Sequence, residues 1–228
     1  MIFGHRGACG YEPENTIASF SKALELGVDG VEFDIHLSLD NFPIVIHDET
    51  LERTTNGKGY VKEKTLAELK ELDAGDGEKI PTVEDVLNLV NRKAQVNLEL
   101  KAVGTALPIA KIIKYYVRYK GWDYKDFIIS SFKHEELKLF YKTLPNAKVG
   151  LLVNAGLSSH FGIAEKLKAF SINIPLELAT KKNVGKINER SLKVFVFTIN
   201  DKESAQRMEM LGVDGIFSNY PDIVKISR

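Results

Sequence analysis

The chain has 228 residues, and 31 Lys+Arg balance 31 Asp+Glu, so its formal net charge is zero. That balance supplies no basic field for nucleic acid and no acidic excess of the kind disordered tails carry. The single cysteine, Cys9, excludes an internal disulfide and any structural zinc site built on several thiolates. No apolar run approaches the ~20 residues of a membrane-spanning helix. Residues 1–7 lack the basic-then-apolar order of a signal peptide. The chain therefore reads as soluble and cytoplasmic, with no membrane span and no nucleic-acid partner; oligomeric state leaves no mark in the sequence.

Short apolar runs alternate with amphipathic segments throughout. Residues 2–5 read as a first strand. Ile17, Ala18, Phe20, Ala23 and Leu24 recur at helical spacing within 15–26, and Gly27 ends that helix. A second β-rich run covers 30–35. Residues 36–39 and 42–47 flank the turn dipeptide Asp40-Asn41. The polar stretch after it, about 49–77 with a short helix at 66–72, reads as an insertion on a larger scaffold. Thr82 predicts an N-cap, with Asp85 in the first turn, for a helix to about Val90. A strand at 95–100 and a helix at 107–119 follow. Further strands are predicted at 127–130, 148–153, 170–174, 194–198 and 215–217, with helical patterns such as 135–141 and 201–211 between them.

Eight principal strands alternating with helices predict an α/β fold, the (β/α)8 TIM barrel. The barrel is expected to occupy 1–228 as one domain, with the small insertion after its second strand. A doubly wound open sheet is the alternative. Gly27-Val28-Asp29-Gly30 recurs as Gly212-Val213-Asp214-Gly215, each where a helix gives way to a strand, which points to a repeated αβ turn.

In such barrels catalytic side chains stand at the C-terminal ends of the strands. There this sequence has His5-Arg6, Glu32 with Asp34, Glu99 with Lys101, and His47-Asp48 after the extra hairpin. Residues i and i+2 of a strand share a face, so Glu32 and Asp34 point together, as do Glu99 and Lys101. One Glu-x-Asp alone reads as a solvated strand face. Three carboxylates converging on one cavity repel unless protonated or bound to a cation, and an all-oxygen set favours Mg²⁺, Ca²⁺ or Mn²⁺. His5 and His47 are candidates for general acid and general base. Arg6 and Lys101 add the positive charge a phosphate ester needs. His134, opening a helix, and His160, in a polar loop, read as ordinary surface histidines. His36 would join Glu32 and Asp34 only if the strand ran straight through it, and a turn is expected to intervene.

These residues carry a resemblance. His5-Arg6-Gly7 followed by Pro13-Glu14-Asn15-Thr16, then Glu32-Phe33-Asp34, the run from Pro43 through His47-Asp48 to Arg53-Thr54-Thr55-Asn56-Gly57, and Asn97-Leu98-Glu99-Leu100-Lys101 resemble, in order, the motifs of the glycerophosphodiester phosphodiesterases. The resemblance implies a (β/α)8 barrel that uses one divalent cation to hydrolyse a small-molecule glycerophosphodiester to sn-glycerol 3-phosphate and an alcohol. It implies Glu32, Asp34 and Glu99 as metal ligands, His5 and His47 as the acid–base pair, and Arg6 and Lys101 as phosphate contacts. Two positions depart from the family pattern. Phe197 stands where the family usually has Trp, keeping an aromatic wall but losing the indole donor, with a plain core aromatic as the equal alternative. Asn219 stands where it often has Asp, which is expected to leave the core chemistry untouched. A phospholipase D-like barrel acting on lysophospholipids, or a non-catalytic glycerol-phosphate sensor, are the alternatives. The short insertion favours small water-soluble diesters.

Overall fold

The computed structural model describes residues 1–225, so the last three positions of the expected 1–228 unit lie outside it. Its strands are β1 (Ile2–His5), β2 (Gly30–Leu37), β3 (Pro43–Val45), β4 (Gln95–Leu100), β5 (Phe127–Ser131), β6 (Lys148–Leu152), β7 (Ser171–Pro175), β8 (Lys193–Phe197) and β9 (Gly215–Ser218). All but β3 run parallel, and β1 pairs with both β2 and β9, which closes the sheet into an eight-stranded barrel. That closure excludes the open doubly wound sheet. β3 lies antiparallel on the upper part of β2, with Ile35 opposite Val45. Helices α1 (Ile17–Glu25), α2 (Leu66–Glu71), α3 (Val83–Val90), α4 (Ala106–Tyr119), α5 (His134–Thr143), α6 (Leu157–Lys166), α7 (Lys181–Asn188) and α8 (Lys202–Met210) complete the chain. α2 sits between β3 and β4; the others return the chain between barrel strands. Thr82 caps α3 as its sequence predicts, trading hydrogen bonds with Asp85.

Apolar side chains sort into three cores. The largest lies between barrel wall and helices, where Phe33, Leu98 and Ile129 meet Phe20, Leu87, Ile113 and Phe140. A second fills the lower barrel, where the Phe3 ring lies 5.5 Å from Phe195 and 5.3 Å from Phe217, with Ile128 beside them. The third, Ile44, Ile46, Leu51, Val61, Leu69, Ala74 and Ile80, lies under the polar stretch and binds it to the β2–β3 hairpin. Both faces of β2 are covered, so it is buried from Gly30 to His36. Above the phenylalanine layer the buried positions become polar, with Glu32, Asp34, Asn97 and Ser130. The polar end of the barrel is the C-terminal one.

The recurring tetrapeptide does the same three things twice. Gly27 and Gly212 end α1 and α8 at φ +67° and +75°, a conformation that favours glycine. The Asp29 carboxylate accepts from Ile2 N at 2.7 Å, and the Asp214 carboxylate from Val194 N at 2.9 Å, each on the neighbouring strand. Gly30 lies opposite Phe3 and Gly215 opposite Phe195, where a Cβ would come within 2.3 and 2.8 Å of the ring. The absent side chain makes room for the interior aromatic.

Two local expectations are corrected. β2 does not turn before His36; the ladder to β3 carries it on to Leu37, with His36 opposite Ile44, and the turn falls at Asp40-Asn41 as the dipeptide indicates. His160 lies in α6, not in a loop. The polar run Ser158-Ser159-His160 hides a helix whose buried residues, Leu157, Phe161 and Ala164, are spaced i, i+4, i+7.

Candidate active site

Strand ends assemble the site. β1 delivers His5 with Arg6 just beyond it; β2 delivers Glu32 and Asp34; β4 delivers Glu99, followed by Lys101. The chain leaving β3 delivers His47 and Asp48, and β8 ends on Phe197. Carboxylate oxygens of Glu32, Asp34 and Glu99 lie within 4.8 Å of one another. Arg6, at φ +52°, turns its backbone N–H onto Glu32 Oε2 at 3.0 Å. Its guanidinium reaches Asp34 at 3.4 Å and Glu14 at 2.9 Å. Lys101 Nζ lies 3.0 Å from Glu99, 3.7 Å from Asp34, and donates to His47 Nε2 at 3.2 Å.

Both imidazoles are tied at Nδ1 and present Nε2 to this group. His47 Nδ1–H donates to Asp48 Oδ1 at 2.5 Å. His5 Nδ1–H donates to Asn219 Oδ1 at 2.7 Å, and its Nε2 lies 4.0 Å from Glu32. Asn219, given no part in the core chemistry by the sequence, lies against His5 and accepts this hydrogen bond. Asn219 is itself held by Asn200, whose Oδ1 accepts from its backbone N–H at 2.9 Å.

A ring of charged contacts stands behind the site. Arg53, from the polar stretch, donates to Asp48 at 2.5 Å and to both Glu14 oxygens at 2.8 Å, and Glu14 returns to Arg6. Asn15 Nδ2 donates to Asp34 at 3.0 Å, and the His36 ring meets the His47 carbonyl at 3.1 Å. Sequence reasoning quoted Glu14, Asn15 and Arg53 within motifs but assigned them no role. Their signal is a charged or amide side chain at a fixed distance from His5 or His47.

The charges are strongly coupled. Burial, with the negative charges of Asp34 and Glu99, pushes Glu32 well above the usual carboxylate range. Burial and Asp34 push Glu99 up to about 7. Burial would also raise Asp34, but Arg6 and Lys101 outweigh it and hold that carboxyl low. Burial and the adjacent Arg6 lower His5 to about 4. The trio is thus short of positive charge even beside Arg6 and Lys101. A buried all-oxygen cluster in that state fits a hard divalent cation.

Two cavities meet at Phe132 and Glu99. The smaller is bounded by His5, Glu32, Phe132, Leu152, Phe197 and Phe217. The larger holds His47 and Lys101. A further hollow at the opposite end of the barrel, beside Met1 and Asp29, carries none of these groups.

The sequence pattern of the glycerophosphoryl diester phosphodiesterase family matches residues 5–223. The chain belongs to this family. A glycerophosphodiester phosphodiesterase of Caldanaerobacter subterraneus is 40% identical over 97% of this chain and 95% of its own length. One from Bacillus subtilis is 33% identical over 98% of this chain and 84% of its own. Among solved structures, an Oleispira antarctica phosphodiesterase in complex with the product sn-glycerol-3-phosphate superposes with a TM-score of 0.90. It is 32% identical, covering 98% of this chain and 94% of that one. The glycerophosphodiester phosphodiesterase of Agrobacterium tumefaciens gives 0.83 at 28% identity, covering 98% and 97%. As a glycerophosphodiester phosphodiesterase, the chain is a hydrolase on a TIM barrel. No helix among its described residues is long and apolar enough to cross a membrane.

Proposed function

We propose that this glycerophosphodiesterase cleaves a small water-soluble diester at the barrel mouth, with His5 and His47 exchanging protons across the phosphate. The observation that carries the reading is the pair of imidazoles, each tied at Nδ1 with Nε2 turned toward one carboxylate cluster, that of His47 accepting from Lys101. Glu32, Asp34 and Glu99 would hold one Mg²⁺, Ca²⁺ or Mn²⁺. Bound there, the cation supplies charge neutralisation to the phosphate and lowers the pKa of an attacking hydroxyl.

The protein's own groups do the rest. Arg6 and Lys101 bind and orient the phosphate oxygens. One imidazole Nε2 takes the proton of the glycerol 2-hydroxyl as its oxygen attacks phosphorus. The other gives a proton to the departing alcohol oxygen, leaving a cyclic phosphate that water opens with the roles exchanged. Phe197, 6.1 Å from Phe132 between ring centroids, walls the smaller cavity against the glycerol carbons. Barrel and polar stretch work as one unit in this reading, because Arg53 braces the Asp48 that braces His47.

The test is release of glycerol 3-phosphate from glycerophosphocholine, glycerophosphoethanolamine and glycerophosphoglycerol, after EDTA treatment and with each cation restored. Cation-dependent release is expected, with His5→Ala and His47→Ala each slowed about 10²- to 10⁴-fold. Release from lysophospholipid vesicles alone would move the reaction to a lipid substrate.

A further inference from the structure

Under the function proposed above, the two cavities would take the two sides of the substrate's phosphate. The smaller, walled by Phe132, Leu152, Phe197 and Phe217, suits the carbon face of glycerol. The larger lies beside His47 and Lys101 and would take the second ester arm. Its lining adds two charged residues outside the chemistry described above, Glu49 and Lys133, both exposed. In this region Lys101 pairs with Glu99 at 3.0 Å and His47 with Asp48 at 2.5 Å. Among the described residues the Glu49 and Lys133 side chains pair neither with each other nor with any other charged group. Two opposite charges thus face one cavity with both valences free, about the phosphate-binding lysine.

We propose that Glu49 and Lys133 read the alcohol arm and favour a zwitterionic alcohol, one bearing both an ammonium and a carboxylate, over a neutral polyol. The proposal rests on the site assignment above. A neutral polyol gains nothing from either charge. A purely cationic alcohol meets Glu49 but is opposed by Lys133. A zwitterion places its ammonium on Glu49 and its carboxylate on Lys133. Both contacts are solvent-exposed and screened, so each is worth about two- to fivefold, not orders of magnitude.

The experiment measures kcat/KM on glycerophosphoserine, glycerophosphoethanolamine and glycerophosphoglycerol for the wild type, Glu49→Gln and Lys133→Gln, at low and high salt. The wild type is expected to prefer the serine over the glycerol diester by about five- to twentyfold at low salt, with the ratio shrinking at high salt. Glu49→Gln is expected to cut both the serine-to-glycerol and ethanolamine-to-glycerol ratios about two- to fivefold. Lys133→Gln should cut the serine-to-ethanolamine ratio by a similar factor. Turnover of all three with ratios unmoved by either substitution, or a wild-type preference for the polyol, overturns the proposal while leaving the reaction intact. No turnover of any of the three overturns both.

Discussion

Behind each imidazole sits one residue that decides where its proton rests, and the two differ in charge. Asn219 orients His5 with an amide; Asp48 orients His47 with a carboxylate. Asn219→Ala is expected to lower kcat about tenfold or more with KM little changed, because the ring loses its fixed tautomer while the phosphate contacts stay. Asp48 makes a second, measurable statement. The Arg53 guanidinium, with His47, holds its carboxyl well below the usual range. A carboxyl lowered in the fold stabilises it above its unfolded value near 4 and loses that contribution as pH falls. Asp48 is 27% exposed, so screening limits the effect to ~1 kcal/mol. Urea denaturation from pH 7 down to pH 3 should show the wild type losing that increment more than Asp48→Asn does. Identical acid-side slopes would remove the pairing from the stability account. The histidines and carboxylates were legible because strand parity placed them. The Asn219 contact was not, since it joins residues 214 apart in sequence.

The αβ turns show how much an element owes to one atom. At Gly30 and Gly215 a Cβ would press on Phe3 or Phe195. Gly30→Ala and Gly215→Ala are each expected to cost about 1–3 kcal/mol by overpacking the lower barrel, read as a shifted urea midpoint. Gly162, within α6 with open space where its Cβ would stand, provides the contrast. Gly162→Ala should stabilise by about 0.5–1 kcal/mol. Equal effects at all three positions would show that glycine entropy, not ring contact, sets the result. Strand positions were legible to within one or two residues because hydrophobic runs bounded by turn residues carry their own signal. α6 and α7 were not, because polar outer faces diluted their periodicity: only Val184 and Ile187 of α7 are buried.

At the scale of the molecule, the barrel spends stability to hold three carboxylates together. Their oxygens lie within 4.8 Å, and burial beside Asp34 and Glu99 raises the Glu32 carboxyl well above the usual range, which favours its protonated form. Glu32→Gln keeps the shape of that protonated acid. The metal-free variant should therefore melt at or above the wild-type temperature. Wild type should gain ~2–3 kcal/mol of stability from a divalent cation at about a hundred times Kd, and the variant should gain far less. A thermal-shift titration with Mg²⁺, Ca²⁺ and Mn²⁺ reads both. A full cation response in Glu32→Gln would remove Glu32 from the ligand set.

The sequence by itself determined the alternation that makes a barrel, the turn tetrapeptide used twice, and the identity of the charged residues at the strand ends. These follow from local periodicity and from residue types whose chemistry needs no neighbours to name. Only the tertiary structure decided that β1 meets β9, that an asparagine from the last strand's loop orients a histidine from the first, and that Arg53 joins Glu14 to Asp48. Each of these is a contact between segments far apart in the chain. Its existence depends on barrel closure and on the third core folding the polar stretch over the mouth, and neither leaves a pattern in any short window of sequence.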